Sequence, residues 1–101
     1  MKVITPGHKY DLDNFENDDS QRIQFIQKSA FNTQGELRTV SDGTTNEEVL
    51  LMLIDRMEFL NRLIPCRETS IAITKVQEAL LWLNHRTQDR RERGVEGTHL
   101  E

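Results

Sequence analysis

The sequence predicts an α+β protein: a small N-terminal antiparallel β-sheet followed by a long antiparallel helical hairpin, associating into oligomers. Three observations predict it. Composition changes near residue 43, from polar and turn-rich to helix-forming. Short stretches before that point alternate with period two, and the stretches after it repeat apolar residues every three or four positions. A chain of 101 residues, 36% hydrophobic and 30% charged, is expected to form one small domain. Its β-rich part covers residues 1–43, its hairpin 44–93 and a frayed tail 94–101.

The strand signals come first. Tyr10 and Leu12 in KYDLDNF, Ile23 and Phe25 in RIQFIQK, and Leu37 and Val40 in ELRTV alternate apolar with polar. The bracketing NDDS and NTQGE are turn-formers, so each stretch reads as a short strand of an antiparallel sheet. Asp42-Gly43 then makes a turn. Thr45 with Glu48 three residues on has the spacing of a capping box, in which hydroxyl and carboxylate each satisfy an unpaired backbone donor.

Leu50, Leu53, Met57, Leu60 and Ile64 recur at intervals of three and four and predict the seam of a first helix. Pro65 ends that helix, because it has no N–H to donate and restricts the residue before it. A second helix is expected from about Arg67 to just before Gly94, with Ala72, Val76, Ala79 and Leu83 as its inner stripe. Met52, Phe59 and Leu63, and likewise Ile73, Leu80 and Leu81, fall off those stripes. A lone hairpin cannot cover so many apolar faces, so association through the helices is expected. Leu100-Glu101 reads as a cloning scar ahead of an affinity tag.

Charge and motif content narrow the function. The formal net charge of −4 argues against non-specific binding to nucleic-acid polymers, which a basic face normally drives. No apolar run is long enough to span a membrane and no apolar leader segment is evident, so a soluble, intracellular protein is expected. A single cysteine and three scattered histidines imply neither a disulfide nor a zinc site, and no cofactor is implied. There is no phosphate-binding glycine loop, zincin motif or nucleophile elbow, so no catalytic residue is assigned.

Individual residues have plain structural explanations beside the chemical ones. His85 reads as a helix-surface histidine before a general base, Glu47-Glu48 as helix-capping acids before metal ligands, and Cys66 as a passive bend residue before a nucleophile. Arg86 and Arg90, four apart on a helix, have the spacing to grip adjacent phosphate oxygens. Taken alone they read first as a solvated helix end facing the negative pole of the dipole. Phe59 and Trp82 are each core or interface residues on the same footing, with base stacking as the alternative.

The stretches DGTTNEEVL, AITKVQEALLWL and RTQDRRERGVEG, with GHKYDLDNF and RIQFIQK before them, carry a resemblance that covers nearly the whole chain. They resemble the helical-hairpin family of phage anti-defence proteins that includes the type-one Thoeris anti-defence (Tad) and, more distantly, the type-two anti-CBASS (Acb) proteins. The resemblance implies a sponge that holds cyclic nucleotide immune signals without cleaving them: glycocyclic ADP-ribose of Thoeris, and in several members CBASS cyclic di- and trinucleotides. It implies dimers, often built into a hexamer as a trimer of dimers, working in the cytoplasm of an infected bacterial host.

Position by position, the resemblance implies that Phe59 contacts the ADP-ribose-type ligand and Arg86 its phosphate. Thr69 stands where the family usually has Asn. A hydroxyl lacks the paired donor and acceptor of an amide, which bears on isomer preference. By approximate alignment, Arg38 falls at a second nucleotide pocket. Arg22 and Arg90 are further phosphate-contact candidates from charge and position alone. Arg86 is about 17 residues beyond Thr69, some 25 Å along a helix, so one pocket holding Phe59, Thr69 and Arg86 must draw on two protomers. The competing expectations are a hydrolase that degrades the signal nucleotide and a helical module that binds protein or DNA.

Overall fold

The computed structural model describes residues 1–30 and 32–92. The elements run β1 (Lys2–Thr5), β2 (Lys9–Asp13), β3 (Ser20–Gln24), β4 (Gln27–Ala30), β5 (Leu37–Ser41), α1 (Asn46–Leu63) and α2 (Arg67–Glu92). They form two compact units, the first ending at Thr45 and the second starting at Asn46. A β-rich N-terminal unit followed by a two-helix hairpin is the α+β arrangement expected from the sequence.

The N-terminal unit holds two antiparallel sheets where the sequence predicts one: a three-stranded β1-β2-β3 sheet and a two-stranded β4-β5 ribbon. β1 is an additional strand. It is joined to β2 by Thr5-Pro6-Gly7-His8, in which the His8 N–H donates to the Thr5 carbonyl at 2.9 Å. Pro6 presets the first turn position and Gly7 takes φ +79° at the second, the arrangement of a type II turn. β2 pairs with β3 from Lys9 opposite Gln24 to Asp13 opposite Ser20. That register sets Asp11 against Arg22, and the Tyr10 and Phe25 rings meet edge to face with centroids 6.0 Å apart.

The stretch read as one strand, RIQFIQK, is broken at Phe25 and Ile26. There Phe25 N–H still donates to His8 O at 2.7 Å, but the neighbouring bonds go to the segment leading into the hairpin. Thr44 N–H donates to Gln24 O and Ile26 N–H donates to Thr44 O, both at 2.9 Å. The Gln24 side-chain amide donates to Ser41 Oγ at 2.6 Å and to the Asp42 carbonyl at 3.2 Å. Gly43 lies so close beneath this junction that a Cβ would sit 2.5 Å from Gln24 O and 2.6 Å from the Phe25 carbonyl carbon. The glycine is needed here for backbone approach, not merely for a turn.

In the second unit, α1 starts directly after Thr45, with Glu47 and Glu48 in its first turn where the macrodipole favours acids. It ends at Leu63, two residues before Pro65. α2 restarts at Arg67 and continues to Glu92, with Arg90 and Arg91 in its final turn as the dipole favours. The tail 94–101, with its expected Gly94 stop and cloning scar, lies outside the described residues.

The helices pack antiparallel, but the seam is phased differently from the predicted stripes. On α1, Leu50, Ile54, Met57 and Asn61 are half-buried, while Leu53, Leu60 and Ile64 are exposed. On α2, Ala72, Val76 and Leu83 are inside as expected, but Ala79 is exposed. Ile73 and Leu80, read as off the seam, lie in it. Ile73, at 9% exposure, is the one buried hydrophobic side chain among the described residues. The phase shifts because α1 carries apolar residues around more than half of its circumference, so a three-four pattern can be drawn through it in two ways. The seam that forms is the one whose polar members, Glu58 and Asn61, find partners on α2, Gln77 and Ser70.

Candidate functional site

The residues that carry candidate chemistry on the hairpin fall at its two ends. Phe59 lies one turn before the end of α1 and is 56% exposed. Thr69, in the first turn of α2, is half-buried. Both flank the bend, so the structure brings them to the same end of the hairpin, as expected.

The bend itself is short and tied down. Ile64 N–H donates to Leu60 O at 3.0 Å, closing the last turn of α1, and Ser70 N–H donates to Cys66 O at 3.0 Å, opening the ladder of α2. Between them the Asn61 side chain accepts from Cys66 N–H at 2.9 Å and donates to Ser70 Oγ at 3.0 Å. The Cys66 thiol donates to Glu68 Oε2 at 3.0 Å. That bond, then the backbone N–H of Glu68 itself, holds this carboxyl below its ordinary range.

Arg86 occupies the other end. From Thr69 to Arg86 the helix is uninterrupted, and 17 residues at about 1.5 Å each separate them by some 25 Å. The pairs Asn61–Ser70 and Glu58–Gln77 set the antiparallel register, which places Arg86 level with the start of α1. The Arg86 side chain is exposed and makes no ion pair to another described residue. Arg90, one turn further on, is half-buried and already engages other groups of the chain. Within one protomer, then, Phe59 and Thr69 lie at one end of the hairpin and Arg86 at the other.

Both helices expose apolar residues, α1 many and α2 few. On α1, Met52, Phe59 and Leu63 form one exposed row, with Leu53 and Leu60 beside it. On α2, Leu81 and Trp82 are exposed, and Trp82 meets the His85 imidazole edge to face with ring centroids 5.9 Å apart. Leu81, Trp82 and His85 line a shallow hollow there.

The two remaining candidates belong to the N-terminal unit. Arg22 is committed to Asp11 across the β2–β3 ladder: Nε donates to Oδ1 at 2.7 Å and Nη2 to Oδ2 at 3.0 Å. This two-pronged bond is the chief reason that the Asp11 carboxyl is held below its usual value and the guanidinium above its own. The guanidinium remains half open to solvent. Arg38 lies on β5 opposite Ser29, is exposed, and has a partner within the chain. Asn61 was not among the residues singled out from sequence. A lone amide continuing the apolar row Leu50, Ile54, Met57 is the signal that could have found it.

These features define a class: a helical-hairpin protein with a β-rich N-terminal unit, an exposed aromatic at the bend and arginines at the far end. The family profile of the Acb2/Tad1 hairpin domain matches residues 21–88, and the chain belongs to that family. The chain is also similar to Thoeris anti-defense 1 of Bacillus phage SBSphiJ7, at 52% identity over 60 residues. That match covers 58% of this chain and 42% of the phage protein, so the chain spans under half the length of the relative it matches. Among the described residues no helix is long and apolar enough to cross a membrane.

Proposed function

We propose that this protein is a phage anti-defence sponge. It binds cyclic nucleotide immune signals in the cytoplasm of the infected bacterium and keeps them from their effector without cleaving them. Membership of the Acb2/Tad1 hairpin family over residues 21–88 carries the reading. Glycocyclic ADP-ribose is the first ligand class of this proposal and CBASS cyclic di- and trinucleotides the second, a reading supported by the 52% identity over 60 residues to a Thoeris anti-defence protein and by the Acb2/Tad1 family match.

The site in this reading is made of Phe59 and Thr69 from one protomer and Arg86, with Arg90, from its partner. A base stacks on the exposed Phe59 ring, the Thr69 hydroxyl bonds the ribose or base edge, and the guanidinium of Arg86 grips phosphate. The 25 Å separation along α2 supports the sharing of the pocket, since no single hairpin closes it. The exposed apolar row on α1, with Leu81 and Trp82 exposed on α2, supports a homodimer, and a trimer of such dimers is the larger assembly proposed. Arg38 is assigned to a second nucleotide pocket. Arg22 contributes to phosphate binding only if ligand competes with Asp11 for its guanidinium. Sequestration needs slow release and sufficient copies, not rate acceleration, which fits a residue set without an assigned base or nucleophile.

Titration calorimetry against a panel of glycocyclic ADP-ribose isomers and cyclic di- and trinucleotides tests the reading. Submicromolar binding to at least one is expected. Absence of binding to all of them would overturn it in favour of a helical interaction module.

A further inference from the structure

We infer that Asn61 is a positioning residue for this ligand site: its side-chain amide clamps the bend between α1 and α2 and so fixes Thr69 relative to Phe59. The assignment rests on the reading of Phe59 and Thr69 as ligand contacts.

The bend has only three residues, Ile64, Pro65 and Cys66, between the last residue of α1 and the first of α2. Pro65 offers no N–H, so backbone hydrogen bonds do little to set the angle at which the chain enters α2. Asn61 supplies what the backbone lacks. Its carbonyl oxygen takes the Cys66 N–H at 2.9 Å and its NH₂ donates to Ser70 Oγ at 3.0 Å. One planar amide therefore holds both the residue that precedes α2 and a side chain in its first turn. A half-buried amide at a seam position is unfavourable unless satisfied, and here both of its ends are.

The consequence falls on Thr69. It is the neighbour of Ser70, and Phe59 is two residues before Asn61. Rotation of the first turn of α2 about the bend shifts Thr69 relative to Phe59, and the bonds from Asn61 to Cys66 and Ser70 oppose that rotation. With the clamp intact the two contacts are presented together. Without it the competent geometry is only a fraction of the population, and apparent affinity falls by that fraction.

The test compares the parent chain with Asn61→Ala, Asn61→Asp and Ser70→Ala, each titrated with the glycocyclic ADP-ribose isomer that the parent binds. Circular dichroism and sedimentation run alongside. Asn61→Ala is expected to bind about tenfold more weakly with helicity and assembly unchanged, the loss two modest hydrogen bonds produce. Asn61→Asp, whose carboxylate can accept from both Cys66 N–H and Ser70 O–H, is expected to return to within about threefold of the parent. Parent-like binding by Asn61→Ala overturns the assignment, as does an Asn61→Asp variant no better than Asn61→Ala. If Asn61→Ala does not fold, Ser70→Ala decides: a loss of about threefold supports the clamp and parent-like affinity overturns it. A parent chain that binds none of the isomers overturns the site reading and this assignment together, a result distinct from the others because it shows before any variant is made.

Discussion

Replacing Gly43 by alanine adds a single methyl group at the junction that stitches the N-terminal unit together. That methyl would meet Gln24 O at 2.5 Å, Phe25 C at 2.6 Å and Phe25 O at 2.8 Å. All three are backbone atoms, which cannot swing aside as a side-chain tip can. Relief therefore requires the strap at residues 41–44 to lift from β3. The two 2.9 Å bonds between Thr44 and residues 24 and 26, and the 3.2 Å bond from Gln24 to the Asp42 carbonyl, all cross that gap. Overpacking costs about 1–3 kcal/mol, and weakening one or two net hydrogen bonds adds about 1 kcal/mol, so the substitution should cost about 2–4 kcal/mol. Hydrogen exchange reads this directly: the Ile26 and Thr44 amides should exchange roughly two orders of magnitude faster, with a lowered urea midpoint. Parent-like protection at both amides would refute the close-approach argument.

Further predictions concern charge and assembly. Arg86→Ala should abolish tight nucleotide binding in calorimetry while leaving the thermal midpoint within about 2 °C, since an exposed side chain away from the seam contributes little to stability. Met52→Asp places a charge on the exposed apolar row of α1, seven residues from Phe59, and should shift sedimentation toward monomer and weaken binding together; a monomer with full affinity would sink the shared pocket. Asp11 has a lowered carboxyl pKa in the folded protein, so its pairing with Arg22 stabilises the fold above the ordinary carboxylate range and is lost as pH falls through the lowered value. Arg22→Gln should therefore raise the Asp11 titration midpoint seen by NMR and flatten the acid side of the stability profile.

The helices were legible in the sequence because their ends are marked by local chemistry: Thr45 with Glu48 at one start, Pro65 at the bend. Their bounds, Asn46–Leu63 and Arg67–Glu92, follow those marks closely. Which face of α1 turns inward was not legible. With apolar residues at positions 49–54, 57, 59, 60, 63 and 64, the hydrophobic pattern permits several phases, and two polar residues decide between them through partners on a different helix. A pattern of apolar residues cannot report that.

The β-rich unit divides the same way. β2 and β5 show their alternation, but β1 is only four residues and its signal was the Pro6-Gly7 turn beside it. The break after β3 arises from bonds to Thr44, some twenty residues on, and has no local signature. For the site, residue spacing alone showed that Arg86 cannot reach Phe59 and Thr69 within one protomer. It could not show that Arg22 is already held by Asp11, because strand register creates that pair. Nor could it single out Asn61, whose role depends on where Cys66 and Ser70 fall around the bend.

Sequestration is tested most directly by what comes back out. The protein is incubated with the cyclic nucleotide that calorimetry selects from the panel, freed of excess ligand, denatured and chromatographed. The account predicts chemically intact nucleotide, recovered in proportion to binding sites even after prolonged incubation. Recovery of a cleaved or rearranged nucleotide would contradict it and make the protein an enzyme.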